Sequence, residues 1–283
     1  MRVMVTNNYY HPIFVYGFTD PVPGIRRTDQ KNGAEKRESS VENRTVLITG
    51  ASRGIGAAIA EQFASEGYRL ALNALHKEQL EATAQRIRTE YGCVCRTFPG
   101  DVGDAGFVRT MIEQIDQEMN GTDVLVNNAG ISVIGLLDEL SEEEWDRIVR
   151  TNLTSVFLCC KYAVRSMIQK KRGRVINISS VWGEEGASCE VAYSATKGGV
   201  NALTKGLAKE LAPSNIQVNA IACGVIDTAM NQCFSGEERK VLEEEIPTGR
   251  YGTAQETAQM VSLLAKAPDY LTGQIITLDG GWT

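Results

Sequence analysis

A tyrosine and a lysine stand four residues apart in the stretch AYSATKGGV, as Tyr193 and Lys197. Residues at this spacing share one face of a helix, so the phenol and the ammonium can act together, although such pairs also occur as ordinary surface decoration. The 283-residue chain has two histidines, His11 and His76, so we expect no histidine-rich metal site, and a Ser-His-Asp triad would depend on His76 alone. Proton chemistry in this chain therefore has to use other groups, and this pair is a candidate.

The glycine-rich segment GASRGIG, with Gly50, Gly54 and Gly56, is a second candidate site. It joins the apolar run TVLIT to an amphipathic run, and so connects a predicted strand to a predicted helix. Small residues let the backbone turn sharply and approach a pyrophosphate, whose charge is favoured by a helix N-terminus. The spacing G-x-x-x-G-x-G differs from the general fingerprint G-x-G-x-x-G, but its context is the same. We predict a nucleotide site, with a tight structural turn as the alternative.

The end of the second predicted strand indicates which nicotinamide cofactor is bound. An NAD site usually offers an acidic side chain to the ribose hydroxyls at this point. Here the strand ends in LNALHK and no carboxylate precedes Glu78, whereas Arg53 lies in the glycine loop and His76 and Lys77 are close in sequence. These groups favour the 2'-phosphate of NADPH. Asp101, after the third predicted strand, is placed to meet the adenine, unless it caps the next helix.

These candidates are positioned by short aliphatic runs that alternate with amphipathic stretches. Strands are predicted at 45–49, 69–73, 93–98, 123–127, 174–179, 216–221 and 274–278, and helices at 55–66, 77–90, 104–119, 142–170, 192–212 and 254–266. Ser141 and Glu144 give a capping-box signal for the fourth helix. The pattern predicts an α/β fold, a single Rossmann-type doubly wound sheet of about seven parallel strands with helices on both faces. Ligands of such sheets lie beyond the carboxyl ends of the strands, where the candidate residues fall.

Composition and charge limit the partners. Residues 44–283 are predicted to form one domain. Residues 1–43 contain prolines followed by a charged run without periodicity, so we predict a flexible extension there, with a docking arm as the alternative. The apolar piece IFVYGF is too short to cross a membrane. A net charge of −6 argues against nucleic acid. Seven cysteines without C-x-x-C spacing favour reduced thiols, no metal site and a cytoplasmic protein.

The segments TGASRGIG, GDV, NNAG, TNLTSVF and YSATK, in this order, resemble the motifs of the short-chain dehydrogenase/reductase family. The resemblance extends from about residue 44 to the C-terminus, and the spacing of Ser180, Tyr193 and Lys197 agrees with it. It implies an NADP-dependent oxidoreductase that reduces a carbonyl to an alcohol. Besides Tyr193 and Lys197, the implied cofactor-binding residues are Gly50, Ser52, Arg53, Gly54, Ile55, Gly56, Asn73, Asp101, Val102, Asn128, Ala129, Gly130, Gly224, Ile226 and Thr228.

The resemblance also implies the catalytic roles. Tyr193 is expected to protonate the carbonyl oxygen, and Lys197 to lower the pKa of the phenol, ordinarily about 10, and to hold the nicotinamide ribose. Ser180 is expected to orient the substrate oxygen, with Ser179 as the alternative. Asn152 is expected to anchor a water path to Lys197.

Two further features concern rigidity and assembly. Cys223 stands where the family usually has a proline, so we expect a looser turn beside the nicotinamide without loss of binding. Apolar residues in two long helices exceed the needs of one sheet face, namely Val156, Phe157, Leu203 and Leu207. Family members pair these helices between subunits, which implies a homotetramer or homodimer. The alternative is that all four residues belong to the internal core.

The substrate has several candidates. The ending IPTGRYGTAQETAQMVSLLAKAPDYLTGQIITLDGGWT is especially similar to bacterial 3-oxoacyl-acyl-carrier-protein reductases of fatty acid synthesis. An acidic carrier protein prefers a basic rim, which the run Lys170, Lys171 and Arg172 would supply. The acidic loop WGEEGASCEV instead looks like a branch that reduces a 5-aminopentanone group on elongation factor P, whose ammonium these acids would attract. A sugar or polyol substrate, and a protein that senses NADP(H) without turnover, are further alternatives.

Overall fold

A computed structural model of the chain describes residues 44–231 and 235–283. The predicted extension at 1–43, with His11, and Cys233 lie outside these residues. The strands are β1 (Thr45–Ile48), β2 (Arg69–Ala74), β3 (Cys95–Pro99), β4 (Val124–Asn127), β5 (Gly173–Ser180), β6 (Ile216–Cys223), β7 (Ile226–Asp227), β8 (Gly252–Thr253) and β9 (Ile275–Leu278). The helices are α1 (Gly54–Ser65), α2 (Lys77–Tyr91), α3 (Ala105–Met119), α4 (Glu142–Val149), α5 (Ser155–Lys170), α6 (Val191–Leu211), α7 (Gly236–Glu245) and α8 (Ala254–Ala265).

Seven strands form one parallel sheet in the order β3-β2-β1-β4-β5-β6-β9. β1 pairs with β2 on one side and with β4 on the other, so the strand order reverses beside β1. In open parallel sheets this reversal opens a crevice at the carboxyl ends of the strands, and ligands bind there. The prediction of a Rossmann-type sheet of about seven parallel strands is confirmed.

The core is divided between the two faces of the sheet. Val46 and Ile48 of β1 pack into one cluster with Phe63 of α1, whereas Leu47 packs into the other with Met111 of α3. This division follows from the strand backbone, which points successive side chains to opposite faces. Both faces are covered by helices, so the inner strands are rich in buried apolar residues, and the few polar residues within them, such as Asn177 and Asn219, are buried and hydrogen-bonded.

The helix predicted at 142–170 is wrong as a single helix. α4 ends at Val149, a π-helical turn occupies Arg150–Thr154, and α5 begins at Ser155. Such turns interrupt the regular hydrogen-bond ladder and are frequent at functional sites. The side chain of Asn152 in this turn is buried, with 1% exposed. The capping box of Ser141 and Glu144 at the start of α4 is confirmed.

Sequence analysis missed α7 and the small β7–β8 pair. The sequence of α7 is GEERKVLEEE and none of its residues is buried, so it gives no apolar periodicity. The available signal was the capping box formed by Ser235 and Glu238. Within the described ranges, none of the helices has the length and apolar character needed to span a membrane.

Candidate active site

β5 and α6 bring Ser180 and Tyr193 together at the carboxyl edge of the sheet. Ser180 is the last residue of β5, and Tyr193 lies in the first turn of α6. Their hydroxyl groups are hydrogen-bonded, and the Trp182 amide donates to Ser180 Oγ over 3.2 Å. Ser179 points to the other face of β5 and donates to Asn201 Oδ1 over 2.6 Å. The geometry therefore favours Ser180 over Ser179 as the partner of Tyr193.

Lys197 lies one helical turn after Tyr193 and is buried, with 4% exposed. Its Nζ donates to the carbonyl of Ile178 over 2.8 Å and lies 5.4 Å from the centre of the Tyr193 ring. Burial disfavours the charged amine and lowers the pKa of Lys197 from 10.5 to about 8. At neutral pH most of the population is still cationic, so a positive charge lies beside the phenol.

The pKa of Tyr193 differs from the expectation drawn from the sequence. Burial raises it above the ordinary value of 10, the hydrogen bond with Ser180 opposes this, and the negative charge of Glu190, together with that of Cys223 once its thiol ionises at alkaline pH, adds to it. The net shift is upward because desolvation of the phenolate outweighs the other effects, so the phenol does not approach neutrality, and the stabilising effect of Lys197 on the phenolate stays a prediction. A phenol that stays protonated at neutral pH is nevertheless the form that can donate a proton to a substrate.

Asn152 holds the segment that follows β4. Its Oδ1 accepts from the Ile131 amide over 2.8 Å, and its Nδ2 donates to the Ile131 carbonyl over 2.8 Å and to Thr196 Oγ1 over 3.2 Å. A Cβ placed on Gly130 would lie 3.5 Å from Asn152 Oδ1 and 3.7 Å from Lys197 Nζ, so both side chains reach the same turn. The side chain of Asn152 therefore positions this turn. The water path to Lys197 stays a prediction.

The loop between β1 and α1 passes very close to the end of β4. Gly50 has φ +66°, and a Cβ there would lie 2.9 Å from Asn128 Nδ2. A Cβ on Gly56 would lie 2.2 Å from the Gly50 carbonyl oxygen, a distance that side-chain carbons do not tolerate. Asn128 Nδ2 donates to the carbonyls of Thr49 and Gly50, and the Ala129 amide donates to Thr49 Oγ1 over 3.0 Å. Two glycines are therefore required by contact alone, and Asn128 braces the loop.

The N-terminus of α1 lies in this loop and has no side-chain cap. Arg53 is the N-cap residue, makes no capping hydrogen bond and is exposed. The first amides of a helix without a side-chain cap suit an anionic ligand. A Cβ on Gly54, with φ +56°, would lie 3.5 Å from Thr228, so Thr228 lies against the glycine loop, and its contact with the cofactor stays a prediction. Ser52 and Ile55 are half-buried here, and the Ser52 carbonyl accepts from Thr83.

The predicted cofactor-binding residues near the ends of β2 and β3 have different structural roles. Asn73 is fully buried and donates to two backbone carbonyls at the end of β3, so its side chain fixes the position of that strand end. Asp101 accepts from a backbone amide over 2.7 Å and pairs with Arg150 over 3.2 Å. The alternative that Asp101 caps the next helix is wrong, because Asp104 caps α3. Val102 is buried beside it.

The turn after β6 is held by backbone contacts despite the missing proline. Cys223 pairs with Leu278 of β9, and the Gly224 amide donates to the Leu278 carbonyl over 2.9 Å. A Cβ on Gly224 would lie 2.7 Å from the Cβ of Asp279, so only glycine fits. Ile226 is buried in β7. Burial raises the pKa of the Cys223 thiol to about 11, which leaves it neutral and unreactive at physiological pH.

The basic run at 170–172 lies at the amino end of β5, whereas Ser180 lies at its carboxyl end. Lys170 and Arg172 both pair with Asp123, over 3.4 and 3.1 Å. The expectation that this run forms a basic rim is wrong within one subunit, because it lies at the opposite edge of the sheet from the reacting groups.

Sequence analysis missed the segment that follows NNAG as part of the site. Ser132 Oγ donates to the carboxylate of Glu190, and the Gly135 amide donates to the Cys189 carbonyl over 2.9 Å. The segment is therefore attached to the loop that leads into Tyr193. Three of its apolar side chains are more than half exposed, at 54%, 53% and 61%: Ile134, Leu136 and Leu137. The signal available was the apolar run ISVIGLL directly after a predicted strand end.

A model of the short chain dehydrogenase family matches residues 44–239. The chain belongs to the short-chain dehydrogenase family. A 3-oxoacyl-[acyl-carrier-protein] reductase of Staphylococcus aureus is 42% identical over 240 residues, which cover 84% of this chain and 97% of that protein. The enzyme of the same name from Aquifex aeolicus is 38% identical over 245 residues, 86% of this chain and 99% of that one. A gluconate 5-dehydrogenase from Burkholderia cenocepacia, solved with NADP and tartrate, superimposes with a TM-score of 0.80 at 34% identity, covering 84% and 94% of the two chains.

As a member of the short-chain dehydrogenase family, the chain is an oxidoreductase that interconverts alcohols and carbonyl compounds. The prediction made from the five sequence motifs is confirmed at this level. The relatives differ in their substrates, since the names of two refer to acyl carrier protein and that of the third to gluconate.

Proposed function

We propose that this protein is an NADPH-dependent reductase that converts the 3-oxo group of an acyl chain on acyl carrier protein to an alcohol. The observation that carries the proposal is the hydrogen-bonded pair of Tyr193 and Ser180 beside the buried Lys197. The identity of 42% to a 3-oxoacyl-[acyl-carrier-protein] reductase supports the substrate class. Exposed apolar side chains on the segment after β4 support an acyl chain, because they offer it a surface from which water is displaced.

The crevice fits a dinucleotide by its own geometry. Gly50 and Gly56 leave a cradle that a Cβ would fill, and the uncapped N-terminus of α1 suits a pyrophosphate. Arg53 would hold the 2'-phosphate, in agreement with the NADP bound to the structural relative. Lys197 and Tyr193 would contact the nicotinamide ribose. When bound, NADPH supplies the hydride that the carbonyl carbon gains.

The chain's own residues handle the oxygen and the proton. Ser180 would donate a hydrogen bond that fixes the carbonyl oxygen, and Tyr193 would transfer its phenolic proton to that oxygen as negative charge develops. The Lys197 ammonium would then stabilise the phenolate, because attraction between opposite charges is strong at a buried site. Tyr193 would recover its proton from solvent before the next turnover.

NADPH oxidation with acetoacetyl acyl carrier protein tests this proposal. We expect Tyr193→Phe to lower kcat roughly a hundredfold to ten-thousandfold, the range for loss of a general acid, with NADPH affinity little changed. Tyr162→Phe, a tyrosine of α5, is the matched control and is expected to keep full activity. Equal rates in wild type and Tyr193→Phe would contradict the role of the phenol. No turnover of the thioester by either protein would contradict the proposed substrate.

A second candidate is reduction of the 5-aminopentanone group on elongation factor P. It is favoured by the carboxylate of Glu190, which lies in the loop before Tyr193 and acts electrostatically on the phenol. An ammonium-bearing substrate would be attracted there. A direct comparison of kcat/KM for acetoacetyl acyl carrier protein and for modified elongation factor P separates the two, since the physiological substrate is expected to have the higher value.

A further inference from the structure

Glu190 is the residue that immediately precedes α6, three positions before Tyr193. The Ser194 amide donates to the Glu190 carbonyl over 2.9 Å, so the backbone of Glu190 is already fixed to the first turn of the helix. The position of its side chain is fixed separately, by the hydroxyl of Ser132 in the segment after β4. Glu190 therefore holds a defined place between two elements of the candidate active site.

The carboxylate of Glu190 does not cap α6, although Glu190 occupies the N-cap position of this helix. A carboxylate at the start of a helix commonly accepts from the helix amides, yet Glu190 makes no such capping bond. It accepts instead from the neutral hydroxyl of Ser132, which leaves its negative charge uncompensated by that contact. This charge lies close enough to the reacting phenol to raise the pKa of Tyr193.

Two other glutamates of the same loop serve as a comparison. Glu184 and Glu185 are exposed, and their amides donate to the Val181 carbonyl over 2.9 and 3.0 Å. Their backbones continue the turn after β5, and their side chains are open to solvent, where a charge is screened by water and salt. Glu190 is half-buried, so its charge acts more strongly on a ligand than theirs.

We infer that Glu190 is a specificity-determining residue that selects carbonyl substrates by charge: it favours an ammonium group near the carbonyl, tolerates an uncharged chain and rejects a carboxylate. The inference rests on the proposed reductase activity and narrows its substrates. It also separates this protein from the gluconate 5-dehydrogenase it resembles, whose name denotes an acidic substrate. A fixed like charge is an effective way to reject a competing ligand.

Three methyl ketones of equal chain length test this inference. Each ketone carries a three-carbon chain with a different end group. The first ends in trimethylammonium, the second in the uncharged tert-butyl group of the same shape, and the third in carboxylate. The kcat/KM values for NADPH-dependent reduction are measured in wild type, in Glu190→Gln and in the control Glu185→Gln. The glutamine keeps an oxygen that can accept from Ser132, so only the charge is removed. Thermal melts of the three proteins verify that each is folded.

We expect wild type to reduce the ammonium ketone best and the carboxylate ketone worst. Glu190→Gln should reduce the ratio of kcat/KM for the ammonium ketone to kcat/KM for the carboxylate ketone by about tenfold. The value for the tert-butyl ketone should change little, because an uncharged group does not interact strongly with the lost charge. Glu185→Gln should keep the wild-type ratio. An unchanged ratio in Glu190→Gln, or a wild-type preference for the carboxylate, would overturn the inference while leaving the reductase proposal intact. Acetoacetyl acyl carrier protein is assayed alongside: a folded wild type that reduces it but none of the ketones would overturn the inference alone, whereas no turnover of any of the four compounds would contradict the reductase proposal as well.

Discussion

The ammonium nitrogen of Lys197 lies 5.4 Å from the centre of the Tyr193 ring, yet its hydrogen bond goes to the Ile178 carbonyl of β5. The strand therefore fixes the amine, and the hydroxyl of Tyr193 is left to bond with Ser180. In this arrangement Lys197 acts on the phenol through its charge. Its effect should depend on pH, because burial places its pKa within the range of an enzyme assay.

We expect kcat/KM for NADPH-dependent reduction to fall as pH rises through about 8, where Lys197 loses its proton. Below this pH the ammonium is present and can stabilise the developing phenolate, and above it the neutral amine cannot. A pH series from roughly 6 to 10 measures this. Lys197→Arg keeps its charge over the whole range and should lack the descent. A wild-type profile that stays level to the alkaline end of the series would refute the assignment.

Replacing either serine at the end of β5 should have different effects. Ser180→Ala removes the hydroxyl bonded to Tyr193 and should lower kcat roughly tenfold to a thousandfold, since one oriented donor to the substrate oxygen is lost. Ser179→Ala removes a buried bond to Asn201, so it should lower the melting temperature and leave kcat nearly intact. Steady-state kinetics and thermal melts of both variants are the measurement. The reverse pattern would make Ser179 the catalytic serine.

Gly56→Ala should weaken cofactor binding. The new methyl group would lie 2.2 Å from the Gly50 carbonyl oxygen and would force the loop open. We expect NADPH affinity, measured by fluorescence titration, to drop at least about tenfold. Gly92→Ala is the control, because its φ of +63° imposes backbone strain while nothing lies within 4 Å of the new Cβ. Equal losses in both variants would point to general destabilisation.

The choice between NADPH and NADH should depend on Arg53. Arg53→Ala is expected to raise KM for NADPH by about tenfold or more and to leave KM for NADH nearly unchanged, because only NADPH carries the 2'-phosphate. Arg86, which pairs with Glu61 on the surface, provides the matched control as Arg86→Ala. If Arg53→Ala raises KM equally for both cofactors, the arginine does not bind the 2'-phosphate.

We expect the protein to be a homotetramer in solution. Light scattering after size exclusion should therefore give a mass four times the chain mass of 30.9 kDa. Four apolar residues are proposed for the interface. Val156 belongs to the hydrophobic core, and Leu203 and Leu207 pack against that core. Phe157 of α5 is instead 48% exposed, so it is free to contact another subunit. Phe157→Asp should therefore reduce the mass. Val94→Asp, at an equally exposed valine beside β3, should not. A wild-type mass equal to one chain would disprove the assembly.

The sequence was informative where local pattern and chain order determine position. Parallel strands bring their carboxyl ends to one edge, so strand order along the sequence is enough to predict that the glycine loop and Ser180 lie together. The pKa of Tyr193 could not be derived in this way, because its direction depends on how deeply the phenol is buried. The contact between Ser132 and Glu190 joins residues far apart along the chain and has no local signal. The π-helical turn at Asn152 was missed because its flanking helices continue one another's amphipathic pattern.

The position of Asn152 has a mechanical consequence. One amide group satisfies both the N–H and the C=O of Ile131, and the same nitrogen reaches Thr196 on α6. Asn152 thus ties the segment after β4 directly to the helix that carries Tyr193, and the Ser132–Glu190 contact ties the same segment to the residue before that helix. A movement of the segment is therefore expected to move the start of α6 with it.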